Sequence, residues 1–218
     1  MSIDIINQLM QQPDAPTIVE EVHSLLEKER QERLAFYNWV IPSVKAEFIN
    51  GEIIVHSPVI KRHNDANGRL YKIISDYVDE YDLGFCGIEK IMISLTRNDY
   101  EPDVVFFDKT KSDHFEEEKN RFPAPDLIVE VLSKGTAKRD RGVKFKDYAL
   151  HGVEEYWIVD AKKQLIEQYE LKSSEYVKKH ELGKGDTITS FVIKGLTFSV
   201  AAVFDKEAYK MARQQLKI

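Results

Sequence analysis

With 218 residues, 43% of them hydrophobic and 31% charged, the chain has the composition of an ordinary globular protein long enough to bury one core. A net charge of −6 excludes a passive nucleic-acid coat, although an acidic metal site beside a local basic patch fits the same total. The single cysteine, Cys86, excludes a disulfide framework or a thiolate metal cluster.

Reduced cysteine chemistry points to the cytoplasm as the expected location. The first residues carry neither the basic nor the apolar stretch of a secretory signal, and no apolar run reaches the length of a membrane span. No membrane partner is expected. Thr17-Ile-Val-Glu20 has the spacing of a capping box and predicts a helix with Val22, Leu25 and Leu26 on one face. The charged run Glu27 to Arg33 follows, as a solvated face or an oligomer contact. Residues 1–43 are therefore read as an N-terminal helical arm and residues 44–218 as the main domain.

Val44 to His56 predicts a hairpin turning at Asn50-Gly51. Lys61 to Asp82 predicts a helix, with Leu70, Ile73, Ile74, Tyr77, Val78 and Tyr81 at helical spacing and Gly84 as its stop. Lys90 to Leu95 and Pro102 to Phe107 predict two strands joined by a polar turn. Residues 108–125 are a long polar excursion. Asp126-Leu-Ile-Val-Glu-Val-Leu-Ser133 predicts a buried strand, and Asp140, Lys144 and Tyr148 share one face of the helix after it. His151-Gly152 ends that helix. Strands follow over Glu155–Asp160, Leu165–Leu171, Tyr176–Leu182 and Thr187–Ile193, then a helix from Lys206 to Lys217. The order predicts a mixed α/β domain with a partly antiparallel sheet.

The chemistry concentrates at Glu130. A carboxylate inside a buried apolar strand costs several kcal/mol unless a cation or a donor meets it. Its partner is either a metal ion or a basic side chain; the bland alternative is a Glu that reaches solvent at the sheet end. Asp103 heads the preceding apolar strand, so two carboxylates on neighbouring strands are placed to share one hard divalent cation. Such an ion acidifies water and offsets charge on a phosphate. The densest basic patch, Lys134, Lys138, Arg139 and Arg141 with Lys144 and Lys146, flanks these acids and suits phosphate contact or a plain solvated helix face.

Pro102-Asp103 followed by a strand containing Glu130 resembles the PD-(D/E)XK nuclease superfamily. Glu47-Phe-Ile-Asn-Gly-Glu-Ile, Ser57-Pro58, His63, Pro102-Asp103-Val, Asp126-Leu-Ile-Val-Glu-Val-Leu-Ser133, the Asp140, Lys144 and Tyr148 set, and Gly152-Val-Glu-Glu-Tyr-Trp-Ile-Val-Asp160 together resemble the Uma-type family of bacterial putative restriction endonucleases. The likeness runs from Val44 to Leu171. It implies a restriction-endonuclease-like mixed sheet flanked by helices, a Mg²⁺ site (Mn²⁺ as substitute) and hydrolysis of DNA phosphodiester bonds. By position, Asp103 and Glu130 would be metal ligands and Glu47 a further acid at the metal. One departure stands out: the superfamily lysine two residues after the Glu is Leu132 here. Residues two apart on a strand share a face, so a lysine must come from elsewhere, and Lys144 fits the family pattern.

Around this set, His63 reads as a structural or helix-start histidine, or as a base. Tyr148 reads as a core aromatic or a donor to the site. Asp140 reads as a helix cap or as the group that orients Lys144. Two function classes are carried: a Mg²⁺-dependent endonuclease on DNA, with RNA as another substrate, and an inactive nucleic-acid or protein binding module on the same fold, which Leu132 and the negative total motivate. The oligomeric state is left open by the sequence; related nucleases often dimerise to cut two strands, and the N-terminal arm could serve a homodimer.

Overall fold

The computed structural model describes residues 2–218. Its centre is a six-stranded sheet running, edge to edge, Glu175–Leu182, Leu165–Lys172, Glu155–Asp160, Leu127–Val131, Val104–Asp108 and Gly84–Ile88. All neighbours are antiparallel except Leu127–Val131 with Glu155–Asp160. A parallel pair needs a crossover. Here the crossover is two short helices, Ala137–Asp140 and Val143–Leu150, and it brings Lys144 back over the acid-bearing strand. A second, five-stranded sheet is ordered Glu52–Val55, Ala46–Ile49, Asp99–Tyr100, Met92–Ser94 and Arg121–Phe122.

Strand Leu127–Val131 is buried along its whole length, as its continuous apolar character requires. Alternation divides it between two cores. Leu127, Val129 and Val131 pack with Val104, Phe106, Trp157 and helix Lys61–Glu80, which contributes Leu70, Ile73, Ile74 and Val78. Ile128 packs on the other face with Val105, Phe107, Tyr148, Tyr156 and Ile158, beneath Ile49, Ile93 and Tyr100 of the second sheet. Glu130, two residues on from Ile128, and Asp103, two before Val105, belong to that second face.

Several boundaries differ from the sequence expectation for physical reasons. The long N-terminal helix starts at Ala15, with Asp14 at its N-cap and Pro16 in the first turn, and runs to Trp39; the Thr17 box lies inside it. A further helix, Ser2–Met10, precedes it. Val22, Leu25 and Leu26 are exposed, and the helix is held instead by its C-terminal half. There Phe36 packs on Phe48, and Arg33 grips Asp99 through Nε at 2.6 Å and Nη2 at 2.9 Å.

The hairpin forms over Ala46–Ile49 and Glu52–Val55, with Asn50 and Gly51 both at positive φ. Helix Lys61–Glu80 ends through Asp82 at φ +50, not at Gly84. Gly84 instead opens an edge strand: its φ is +144°, and a Cβ there would lie 2.1 Å from the Phe107 carbonyl oxygen. Met92–Ser94 and Val104–Asp108 are not a hairpin. The first pairs with Asp99–Tyr100 in the second sheet, and the other joins the main sheet. The expected strand Thr187–Ile193 shortens to Thr187–Thr189, paired with Thr197–Ser199, while the C-terminal helix spans Lys206–Leu216.

Glu155 pins this C-terminal hairpin to the sheet. Its Oε1 accepts from Trp157 Nε1 and Gln168 Nε2, both at 2.6 Å. Its Oε2 accepts from the Ser190 hydroxyl at 2.6 Å, the Phe191 N–H at 2.8 Å and the Val192 N–H at 3.2 Å. An amide there would turn an NH₂ toward buried donors and leave them unpaired. Glu155→Gln is therefore expected to lower stability by about 2 kcal/mol, read from the midpoint and slope of a urea unfolding curve.

Candidate active site

Val104 pairs with Val129 in the antiparallel register, and continuing that register by one residue sets Asp103 opposite Glu130. Both project from the same face of adjacent strands, and both are buried. Asp103 Oδ2 accepts the Val131 N–H at 2.8 Å, which locks its carboxylate against the acid strand. His63 Nε2, from the first turn of helix Lys61–Glu80, lies 3.4 Å from the same oxygen. Lys45 Nζ reaches Asp103 Oδ1 at 3.3 Å.

Lys144 arrives from the crossover. Its Nζ donates to Glu130 Oε1 at 3.0 Å and lies 2.7 Å from Glu47 Oε1 and 3.6 Å from Asp140 Oδ1. The Tyr100 ring closes another side, its centroid 5.7 Å away. The Lys144 side chain is 1% exposed. Tyr148 also donates to Glu130 Oε1, at 3.0 Å. Both donors use that one oxygen, and among the described residues Glu130 Oε2 receives none.

The predicted face of Asp140, Lys144 and Tyr148 therefore forms, although not on one continuous helix. The chain breaks at Arg141-Gly142. Gly142 permits the break, because a Cβ there would sit 2.7 Å from the Lys138 carbonyl oxygen. Tyr156 anchors the break by donating to the Asp140 carbonyl at 3.0 Å.

Glu47 is fully buried. Besides Lys144 it accepts the Glu101 N–H at 3.0 Å and lies 3.1 Å from His56 Nε2. Burial pushes Glu47 toward its neutral form, but Lys144 and His56 outweigh it and hold the carboxyl below the ordinary range. Asp103 is depressed in the same way, with burial opposed by His63, Lys45 and the Val131 N–H. Glu130 moves oppositely. Burial, reinforced by Asp140, Asp103 and Glu47, raises it against the pull of Lys144. The Lys144 ammonium is raised despite its burial by Glu130, Glu47 and Asp140.

Asp103, Glu130 and Lys144 line a cleft of about 1240 Å³, while Glu47 and Asp140 are buried and are not part of its lining. Of the expected phosphate contacts, Lys134 and Arg139 line it, and Arg62 and Lys162 join them. Lys138 and Arg141 do not; Arg141 is paired with Glu167 at 2.5 Å. Leu132 lines the cleft as an apolar side chain, and the ammonium on this face comes from Lys144. Sequence reasoning missed Lys45 and His56. One signal was present: Lys45 stands two residues before Glu47, and strand residues at that spacing share a face.

Once the acids and the crossover are placed, the fold class is clear: a restriction-endonuclease-like mixed sheet flanked by helices. The chain superimposes on the crystal structure of a putative nuclease belonging to DUF820 from Anabaena variabilis with a TM-score of 0.67, over 78% of this chain and 94% of that one, at 19% identity. Residues 29–201 match the model of the Uma2 family, described as putative restriction endonuclease, and the chain belongs to that family. An uncharacterized protein of Synechocystis sp. is 30% identical over 128 residues, which cover 57% of this chain and 65% of that relative. The chain thus spans just under two thirds of the relative's length.

Removing Lys144 strands three buried carboxylates. Lys144→Met is expected to cost about 3–5 kcal/mol in urea unfolding. Adding Glu130→Gln to that variant should recover part of the loss, a non-additivity expected of groups in direct contact.

Proposed function

We propose that this protein is a divalent-cation-dependent nuclease that hydrolyses phosphodiester bonds of DNA. The observation that carries the reading is the placement of Asp103 and Glu130 side by side at the floor of a cleft with basic residues at its walls.

The residues present fit a cation on grounds of charge. Glu47, Asp103, Glu130 and Asp140 are all buried, and the ammonium groups that meet them are Lys144 and Lys45. Four carboxylates meet two ammoniums and two imidazoles, His56 beside Glu47 and His63 beside Asp103, and Glu130 is raised first by burial and then by Asp140, Asp103 and Glu47. Both Asp140 carboxylate oxygens are buried without a hydrogen-bond partner. Among the described residues no three His, Cys, Asp or Glu side chains form a ready-made cage. Mg²⁺ does not need one, because it keeps several waters and is held by one or two carboxylates. Asp103 and Glu130 would hold it, and Glu47 would hold Lys144. When bound, such an ion supplies positive charge for a phosphate oxygen and acidifies water.

The chain's own residues do the rest. Lys144 and Tyr148 fix Glu130 by Oε1 and leave Oε2 for the cleft. His63 and the Val131 N–H fix Asp103. Lys134, Arg139, Arg62 and Lys162 attract the phosphate backbone without reading bases. In the hydrolysis a water oxygen bonds to phosphorus and loses a proton to solvent. The ester P–O bond on the far side breaks, and the departing oxygen takes up a proton.

A second reading, a binding module without catalysis, draws on Leu132 at the motif position and on the enclosure of Lys144. The test is nicking of supercoiled plasmid with Mg²⁺ or Mn²⁺, alongside calorimetric Mn²⁺ titration. Asp103→Asn and Glu130→Gln should each lower the nicking rate by about 100-fold or more and weaken Mn²⁺ binding. Undiminished nicking in both variants would overturn the nuclease reading. Mn²⁺ binding with no cleavage of DNA or RNA would select the module.

A further inference from the structure

Two lysines approach the acid pair, and their surroundings differ. An ammonium has three N–H donors and no acceptor. Those of Lys144 face three carboxylates within 3.6 Å, with an aromatic ring beyond. Lys144 borders the cleft, but a phosphate oxygen that came near its nitrogen would meet the negative charge of Glu47, Glu130 and Asp140 around it. The charge of Lys144 is consumed inside the protein.

Lys45 stands on the open side. Its backbone is fixed by the hairpin, because its carbonyl accepts the His56 N–H at 3.0 Å and extends the ladder beyond Ala46. Its side chain lines the cleft and is 22% exposed, against 1% for Lys144. Among the described residues its ammonium meets a single carboxylate, Asp103, at 3.3 Å, which is long for a charge-assisted bond. The other cleft cations, Arg62, Lys134, Arg139 and Lys162, make no ion pair with Asp103 or Glu130 among the described residues. Lys144 lines the cleft as well and contacts Glu130, so what sets Lys45 apart is exposure and pairing: among the described residues it is the more open of the two lysines and meets one carboxylate instead of three.

We infer that the two lysines have separate roles. Lys144 is a positioning residue that holds Glu130 and Glu47, and Lys45 meets the scissile phosphate. Lys45 donates to a non-bridging oxygen of that phosphate and offsets the charge that grows there as water adds to phosphorus. A fixed donor aimed at the growing charge is worth most at that stage. The assignment rests on the nuclease reading and names the residue of the chain that reads the phosphate at its centre.

The experiment compares wild type, Lys45→Met, Lys45→Arg and Asp103→Asn. Plasmid nicking is measured beside Mn²⁺ affinity by calorimetry. Acylation of Lys45 and Lys144 by an amine-reactive ester is followed by mass spectrometry, with and without a phosphorothioate duplex. Lys45→Met should nick about 100-fold more slowly while binding Mn²⁺ at least as well as wild type, since it removes a competing charge beside Asp103. Lys45→Arg should recover part of the rate. Lys45 should be acylated in the free protein and protected by the duplex, while Lys144 stays unlabelled in both. If Lys45→Met nicks at the wild-type rate while Asp103→Asn is inactive, the nuclease reading stands and the assignment of Lys45 falls. Loss of Mn²⁺ binding in Lys45→Met, or equal labelling of Lys45 with and without duplex, overturns the assignment as well. If wild type neither nicks nor binds duplex, the nuclease reading fails and the assignment goes with it.

Discussion

The contact of Lys144 with Glu47, Glu130 and Asp140 is the interaction on which the rest of the site depends. It joins three parts of the chain: the first hairpin, the central acid strand and the crossover. Each of these charges would cost several kcal/mol to bury alone. Together they offset one another and fix how the two sheets and the crossover meet. Two imidazoles, His56 beside Glu47 and His63 beside Asp103, add to the ammoniums that face these acids. Of these acids Glu130, together with Asp103, lines the cleft, and these two are the carboxylates that the proposed divalent cation would meet.

The crossover is the device that makes this possible. A parallel strand pair demands a connection that passes over the sheet, and here that connection is short and broken at Arg141-Gly142. The break lets Asp140 and Lys144 both face the acid strand from separate helical segments. On the strand itself, Leu132 follows Glu130 where the superfamily pattern has lysine. An ammonium supplied from the crossover arrives from above, surrounded by carboxylates, and so it serves the protein interior. The cleft side is left to a lysine from the hairpin. On the proposed assignment, a positioning charge and a substrate-facing charge are separated in space.

The elements that were readable from sequence are those whose signal is local. Asn50-Gly51 specifies its turn because both residues accept positive φ. Helix Lys61–Glu80 and strands Leu127–Val131 and Glu155–Asp160 follow from periodicity and apolar content alone. The errors lie where packing overrides local preference. Gly84 looks like a helix stop but is needed where the edge strand crowds Phe107. Met92–Ser94 and Val104–Asp108 look like consecutive strands of one hairpin but serve different sheets. Lys45 escaped notice because a lysine at a hairpin start is commonplace until its neighbour across the fold is known to be Asp103.

By itself the sequence determined the kinds of groups available and their local faces: a carboxylate in an apolar strand, a second heading the strand before it, and a lysine at helical spacing from Asp140 and Tyr148. Those follow from strand and helix periods, which depend only on near neighbours. Only the tertiary structure decided which ammonium is enclosed and which one is open, since burial and charge pairing depend on residues distant in the chain. Lys144 and Lys45 are the same residue type, and their difference lies wholly in what the second sheet and the crossover place around them.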